Sequence, residues 1–106
     1  FKGSISQRNN SKTITEWFAT RLNNPPPIIS TGKVWSHKDA QHLLNQGADL
    51  IGVGRAAIGH PDWATQVVNL NYDPAKPPFS VTDLRKAMLS DVFIDYMRNW
   101  EGFVCD

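Results

Sequence analysis

The sequence predicts an α/β chain built around one parallel βαβ unit, and three features of residues 28 to 63 carry that prediction. Ile28 to Thr31 and Ala48 to Val53 are nearly continuous apolar runs without strict alternation, the pattern of strands buried on both faces of a parallel sheet. The segment between them is long enough for the helical crossover that a parallel pair requires. Each run is followed by a glycine turn, Thr31-Gly32-Lys33 after the first and Gly54-Arg55 after the second, so both strand ends should emerge on one edge of the sheet. That edge is where α/β proteins place their ligands.

The elements follow in order. Residues 1 to 12, rich in Ser, Asn and basic side chains, read as a loop and frayed terminus, with a short strand end at Ser4 to Ser6 as the alternative. Thr13 and Glu16 fit a capping box, opening a helix from Ile14 to Leu22 with Ile14, Trp17, Phe18 and Leu22 close to one face. Asn23-Asn24 and Pro25-Pro26-Pro27 end it, because proline cannot donate the helical hydrogen bond and restricts its predecessor. After the first strand, Ser36 is a good N-cap and Asp39 suits the positive end of a helix over 37 to 46, which presents Ala40, Leu43 and Leu44 to the sheet. Gly47 serves as its left-handed C′ residue. Asp49, at the start of the second strand, is at the wrong end for chemistry and reads as a local turn or cap residue.

Beyond Arg55, Ala56 to Gly59 make a brief helical turn, and a second short helix starts at His60-Pro61-Asp62-Trp63 with Pro61 at its first position and Trp63 and Val67 or Val68 inward. Residues 69 to 78 are loop by composition. Ser80 and Asp83 then cap a helical extension over about 80 to 100, carrying Leu84, Met88, Val92, Tyr96 and Met97 at helical spacing, with a break near Ser90-Asp91. The closing EGFVCD is a tail whose Phe103 and Val104 dock on a neighbouring surface.

Composition narrows the function classes. Eleven Lys plus Arg against ten Asp plus Glu give a net charge of +1, which argues against nucleic acid or an acidic membrane as partner. With 41% hydrophobic residues, including four Trp and five Phe, the chain has the material for a core. A single cysteine, Cys105, rules out an internal disulfide and a cysteine-based metal site. No apolar run approaches a membrane span and nothing resembles a signal peptide, so a cytoplasmic location is expected. Two strands in 106 residues cannot supply a usual sheet of four to six. A partial domain over 1–106 is therefore expected, a piece of a longer protein that self-associates through its open sheet.

Gly32, Lys33, Gly54 and Arg55 are the candidate binding residues, because two glycine-ended strands of one sheet bring them within reach of one anion. Main-chain N–H groups at such turns are preorganised donors, and a guanidinium adds bidentate hydrogen bonds. The alternative makes the glycines plain turn residues and Arg55 a surface ion-pair former. Lys33 can contribute either its side chain or only its backbone N–H. The pattern is neither a Walker loop nor a Rossmann fingerprint. No metal site is predicted: His37 and His42 read as solvent-side helix residues and His60 as a turn residue. Asp91 and Asp95, four apart, read as an exposed like-charge pair, and no catalytic residue is assigned.

The stretch IISTGKVWSHKDAQHLLNQGADLIGVGRAAIGHPDW also resembles the C-terminal quarter of the old yellow enzyme family, the FMN-dependent NAD(P)H:flavin oxidoreductases and ene-reductases. The strand-Gly segment, the G-A-D before the second strand, the G-R with its small-residue turn and the H-P-D-W carry the likeness. The resemblance implies a C-terminal fragment of a TIM (β/α)8 barrel, with Ile28 to Thr31 as seventh strand and Ala48 to Val53 as eighth. It implies that Gly32, Lys33, Gly54 and Arg55 contact the FMN phosphate, Arg55 also lying near the flavin. Lys33-Val34-Trp35 departs from the family, many members being glycine-rich or variable there. The family's activity would be hydride transfer from NADH or NADPH through FMN to a small-molecule acceptor, an activated alkene or quinone-like compound. Its substrate-anchoring and proton-donating residues come from preceding strands, so the fragment alone is expected to be inactive. Two rival expectations are the phosphate-binding part of another (β/α)8 enzyme and a non-enzymatic α/β interaction module.

Overall fold

Capping chemistry sets where the helices begin. In the computed structural model, which describes residues 11–106, helix α1 spans Ile14–Arg21 and opens on a reciprocal box. Thr13 Oγ1 accepts from the Glu16 N–H at 3.2 Å and Glu16 accepts from the Thr13 N–H at 3.0 Å. Helix α2, His37–Asn45, repeats the device: Ser36 Oγ accepts from the Asp39 N–H at 3.1 Å, and Asp39 accepts from the Ser36 N–H at 3.0 Å. The strand considered at Ser4 to Ser6 lies outside the described residues.

Strand β1, Ile29–Thr31, pairs in parallel with β2, Leu50–Gly52, Ile29 facing Leu50, Ser30 facing Ile51 and Thr31 facing Gly52. Asp49 clamps the entry to the pair. Its carboxylate accepts from the Ile28 N–H at 2.9 Å while its own N–H donates to the Ile28 carbonyl at 2.9 Å. The expected burial on both faces is corrected: Ser30 is buried, but Ile29 and Leu50 are 65% and 55% exposed, register partners that no layer among the described residues covers.

No residue of helix α1 is buried, and Phe18 and the C-cap residue Leu22, on the face read from the sequence, are exposed. It attaches through polar contacts, Thr13 Oγ1 to Gln46 Oε1 at 3.1 Å and Thr15 Oγ1 to Ser30 Oγ at 2.9 Å. Helix α2 buries Ala40 and Leu43, whereas Leu44, expected inward, is exposed. It closes with Gly47 at φ +105°, whose N–H bonds the Leu44 carbonyl at 3.0 Å, followed by Ala48 N–H to Leu43 O at 3.2 Å.

Short helices α3, Arg55–Gly59, and α4, Trp63–Gln66, follow β2. Pro61 precedes α4 instead of occupying its first position, and Asp62 is the N-cap. Trp63 is buried and its Nε1 donates to the Trp35 carbonyl at 2.8 Å, while Val68 points to solvent.

The C-terminal third departs most from its sequence reading. Strand β3, Phe79–Ser80, pairs in parallel with β4, Val104–Cys105, a second two-stranded sheet that the sequence reading lacked. Cys105 therefore belongs to a paired strand and not to a free tail. The extension consists of α5, Val81–Lys86, capped by Ser80, and α6, Asp91–Met97, capped by Ser90. Met88, with φ +67°, lies in the break between them. Of the residues read at helical spacing, Met88, Val92 and Tyr96 are exposed and Leu84 and Met97 are buried, together with Ile94.

The result is a small α/β unit with two parallel two-stranded sheets, flanking helices and two apolar cores. One core joins Val34, Ala40, Leu43, Ala56 and Trp63 beneath the first sheet. The other joins Phe79, Leu84, Ile94, Met97 and Phe103. Trp35 packs against both. The Cα radius of gyration, 16.1 Å, exceeds the roughly 13 Å of a compact chain of this length.

Candidate functional site

The carboxyl edge of the first sheet forms a cleft. Leaving β1, Gly32 has φ +133° and Lys33 φ +52°, so two consecutive left-handed residues turn the chain sharply. Leaving β2, Gly54 leads into α3, whose first residue is Arg55. Thr31, Gly32, Lys33, Trp35, Gly54 and Arg55 line a cleft of about 240 Å³. Buried Val34 and Ala56 complete its lining. All four candidate residues thus meet in one place.

Gly54 has a particular relation to that space. An added Cβ would meet no atom of the described residues within 4 Å, so packing against them does not demand glycine there. No side-chain cap closes the first turn of α3. A missing side chain there leaves the main chain open to close approach.

Asp39 holds the turn in shape. Its Oδ2 accepts from the N–H groups of Trp35 and Ser36, both at 3.0 Å, which fixes the segment between Lys33 and α2. Partial burial pushes this carboxyl up, but backbone hydrogen bonds from Ser36 and Trp35, the Ser36 side chain and the Lys76 charge outweigh it and hold it below the ordinary value. The Ser36 to Asp39 spacing signalled the cap, whereas the bond to Trp35 had no separate sequence signal.

A second cleft of about 450 Å³ is lined by Lys33, Trp35, Asp39, Arg55, Lys76 and Pro77, sharing three lining residues with the first. Lys76 was not singled out from the sequence, because it is remote in the chain and sits in a segment read as loop. Among the described residues no carboxylate lies within ion-pair distance of Lys33, Arg55 or Lys76. Residues 1 to 10 contain no Asp or Glu. The alternative of Arg55 as a surface ion-pair former therefore finds no partner here.

The remaining polar groups serve the structure. His37, expected on the solvent side, donates through Nδ1 to the Val67 carbonyl at 2.7 Å, and His60 donates through Nε2 to the Ala75 carbonyl at 2.8 Å. His42 is exposed. Asp91 and Asp95 each have a cation, Arg85 at 2.8 Å and Arg98 at 3.4 Å, on an exposed surface where such pairs contribute little. Hydrogen bonding to Asp91 raises the Arg85 pKa. Among the described residues no group of three His, Cys, Asp or Glu side chains could hold a metal ion, and no helix is long and apolar enough to cross a membrane. A larger cleft of about 560 Å³ beside His60, Asp62, Asp83 and Lys86 lies away from the strand ends.

Fold and cleft define a class: a parallel βαβ element with a cationic, glycine-turned cleft on its carboxyl edge. Comparison with known proteins narrows it to homology with NADH-dependent flavin oxidoreductases. The chain is 46% identical over 41 residues to the NADH:fumarate oxidoreductase of Klebsiella pneumoniae (strain 342), the match covering 39% of this chain and 4% of that protein. It is 37% identical over 43 residues to the NADH:acrylate oxidoreductase of Vibrio harveyi, covering 41% and 4%. It is 24% identical over 94 residues to the probable NADH-dependent flavin oxidoreductase YqiG of Bacillus subtilis (strain 168), covering 89% of this chain and 25% of the relative. The chain thus spans a quarter or less of each relative's length. No family model and no solved structure matches.

Proposed function

We propose that this chain furnishes part of the FMN phosphate site of an NADH-dependent flavin oxidoreductase, as the last βα units of a (β/α)8 barrel. The observation that carries the reading is the meeting of Gly32, Lys33, Gly54 and Arg55 around one cleft, in a chain homologous to flavin oxidoreductases. In this reading β1 and β2 are the seventh and eighth barrel strands, and exposed Ile29 and Leu50 are the surface that further strands cover.

The residues present suit a phosphate. Lys33 and Arg55 supply uncompensated positive charge, and the bare main chain at Gly54 leaves room for a phosphate oxygen to reach a backbone N–H. Asp39 keeps the turn preorganised, so binding spends little energy on ordering it. When bound, FMN supplies hydride transfer from NADH or NADPH to a small-molecule acceptor. Two relatives are named for fumarate and acrylate, both activated alkenes, which favours that acceptor class over quinone-like compounds. The chain's own part in this reading is to grip and orient the phosphate end.

Calorimetric titration of FMN into the chain and into Arg55→Met tests this. Loss of a charge-assisted hydrogen bond, about 1.5–3 kcal/mol, corresponds to weakening of roughly tenfold to a hundredfold. Equal FMN affinity in the two proteins would overturn the reading.

A further inference from the structure

Lys76 is a cation for which the phosphate cradle has no evident need, yet it lines the outer cleft with Lys33 and Arg55. The sole acidic side chain of that lining is Asp39, which leaves a local excess of positive charge. Asp39 offsets Lys76 only in part: the Lys76 charge helps to hold the Asp39 carboxyl low, but no ion pair joins the two residues within 4.0 Å. The segment carrying Lys76 is anchored next to it. His60, the C-cap of α3, donates to the carbonyl of Ala75, the residue before Lys76. Helix α3 thus bears Arg55 at one end and fixes the approach of Lys76 from the other.

Like charges gathered around an open cleft repel one another until an anion enters. A phosphate diester carries one negative charge there. A monoester carries nearly two at neutral pH, its second pKa being about 6. We propose that Lys76 is a specificity-determining residue that makes this cleft prefer the dianion of a phosphate monoester over a phosphate diester. The inference rests on the phosphate reading above and extends it to the chemical class of the phosphate.

The test is an amide NMR titration of the whole chain at pH 7.5 and low salt with methyl phosphate and with dimethyl phosphate as probes. In the unaltered chain methyl phosphate should shift the amides of Gly32, Lys33, Gly54, Arg55 and Lys76, and bind about tenfold more tightly than dimethyl phosphate. Lys76→Met should lower methyl phosphate affinity about fivefold, leave dimethyl phosphate within about twofold, and keep the remaining spectrum in place. Lys76→Arg should retain the preference. The fivefold loss on Lys76→Met, about 1 kcal/mol, is the upper end for an exposed charge pair. An unchanged monoester preference in Lys76→Met would overturn the role of Lys76 while the phosphate reading stood. Absence of any methyl phosphate shift at the cleft amides of the unaltered chain would overturn both.

Discussion

Replacing Gly52 with alanine asks whether the register of β1 and β2 builds the cleft. Gly52 lies opposite Thr31, and a Cβ on it would sit 1.9 Å from Thr31 Oγ1, 3.1 Å from Thr31 Cβ and 3.3 Å from Thr31 Cγ2. Rotating the exposed threonine removes the hydroxyl clash but leaves its Cβ in place, so the strands must separate slightly at their carboxyl ends. Overpacking costs about 1–3 kcal/mol, and the free rotation of Thr31 puts this case at about 1–2 kcal/mol. Urea denaturation followed by tryptophan fluorescence should show a lower midpoint at unchanged slope. Thermal melting should show a drop of about 4–8 °C per kcal/mol. In a double-mutant cycle with Thr31→Ala, which leaves only the 3.1 Å contact to Cβ, at least half the loss should be recovered. A coupling below about 0.3 kcal/mol, within ordinary additivity, would refute the register argument.

Other outcomes follow from the same geometry. Leu84→Ala, at a fully buried position, should cost about 2–5 kcal/mol, whereas Met88→Ala, 88% exposed, should stay within about 0.5 kcal/mol; comparable losses would contradict the helix break between them. Asp39 has its folded pKa below the ordinary 3.8, so its contribution is present above that pH and lost as pH falls through the folded value. Asp39→Asn should therefore flatten the acid limb of the stability profile, and an unchanged limb would remove the role given to its bonds with Trp35 and Ser36. The uncovered pair Ile29 and Leu50 should drive concentration-dependent self-association of the chain, reduced by a double lysine substitution at those positions; a monodisperse monomer across concentrations in sedimentation velocity would contradict it.

Much of the N-terminal two thirds was legible because its signals are local. Thr13 with Glu16, Ser36 with Asp39, and Gly47 are short-range hydrogen-bonding devices that work the same way in sequence and in space. The parallel pairing of β1 and β2 followed from two apolar runs joined by a helix. The second sheet was not legible, since strands of two residues, Phe79–Ser80 and Val104–Cys105, are too short to show any period. The C-terminal helices failed for a different reason. A non-helical stretch around Met88 resets the 3.6-residue phase, so spacing counted across it chose Val92 where Ile94 is buried. At the cleft, Gly32, Lys33, Gly54 and Arg55 could be found because each follows a strand. Lys76 reaches the same place through tertiary folding alone, for which the sequence offered no local sign.

The central claim is that the cleft after β1 and β2 grips the phosphate of FMN. Amide NMR spectra of the chain titrated in parallel with FMN and with riboflavin, which lacks only the phosphate, test it most directly. The account predicts that FMN shifts the amides of Gly32, Lys33, Gly54 and Arg55 while riboflavin leaves them in place. Equal shifts from both ligands at these amides, or FMN shifts confined to the cleft beside His60 and Asp83, would contradict it.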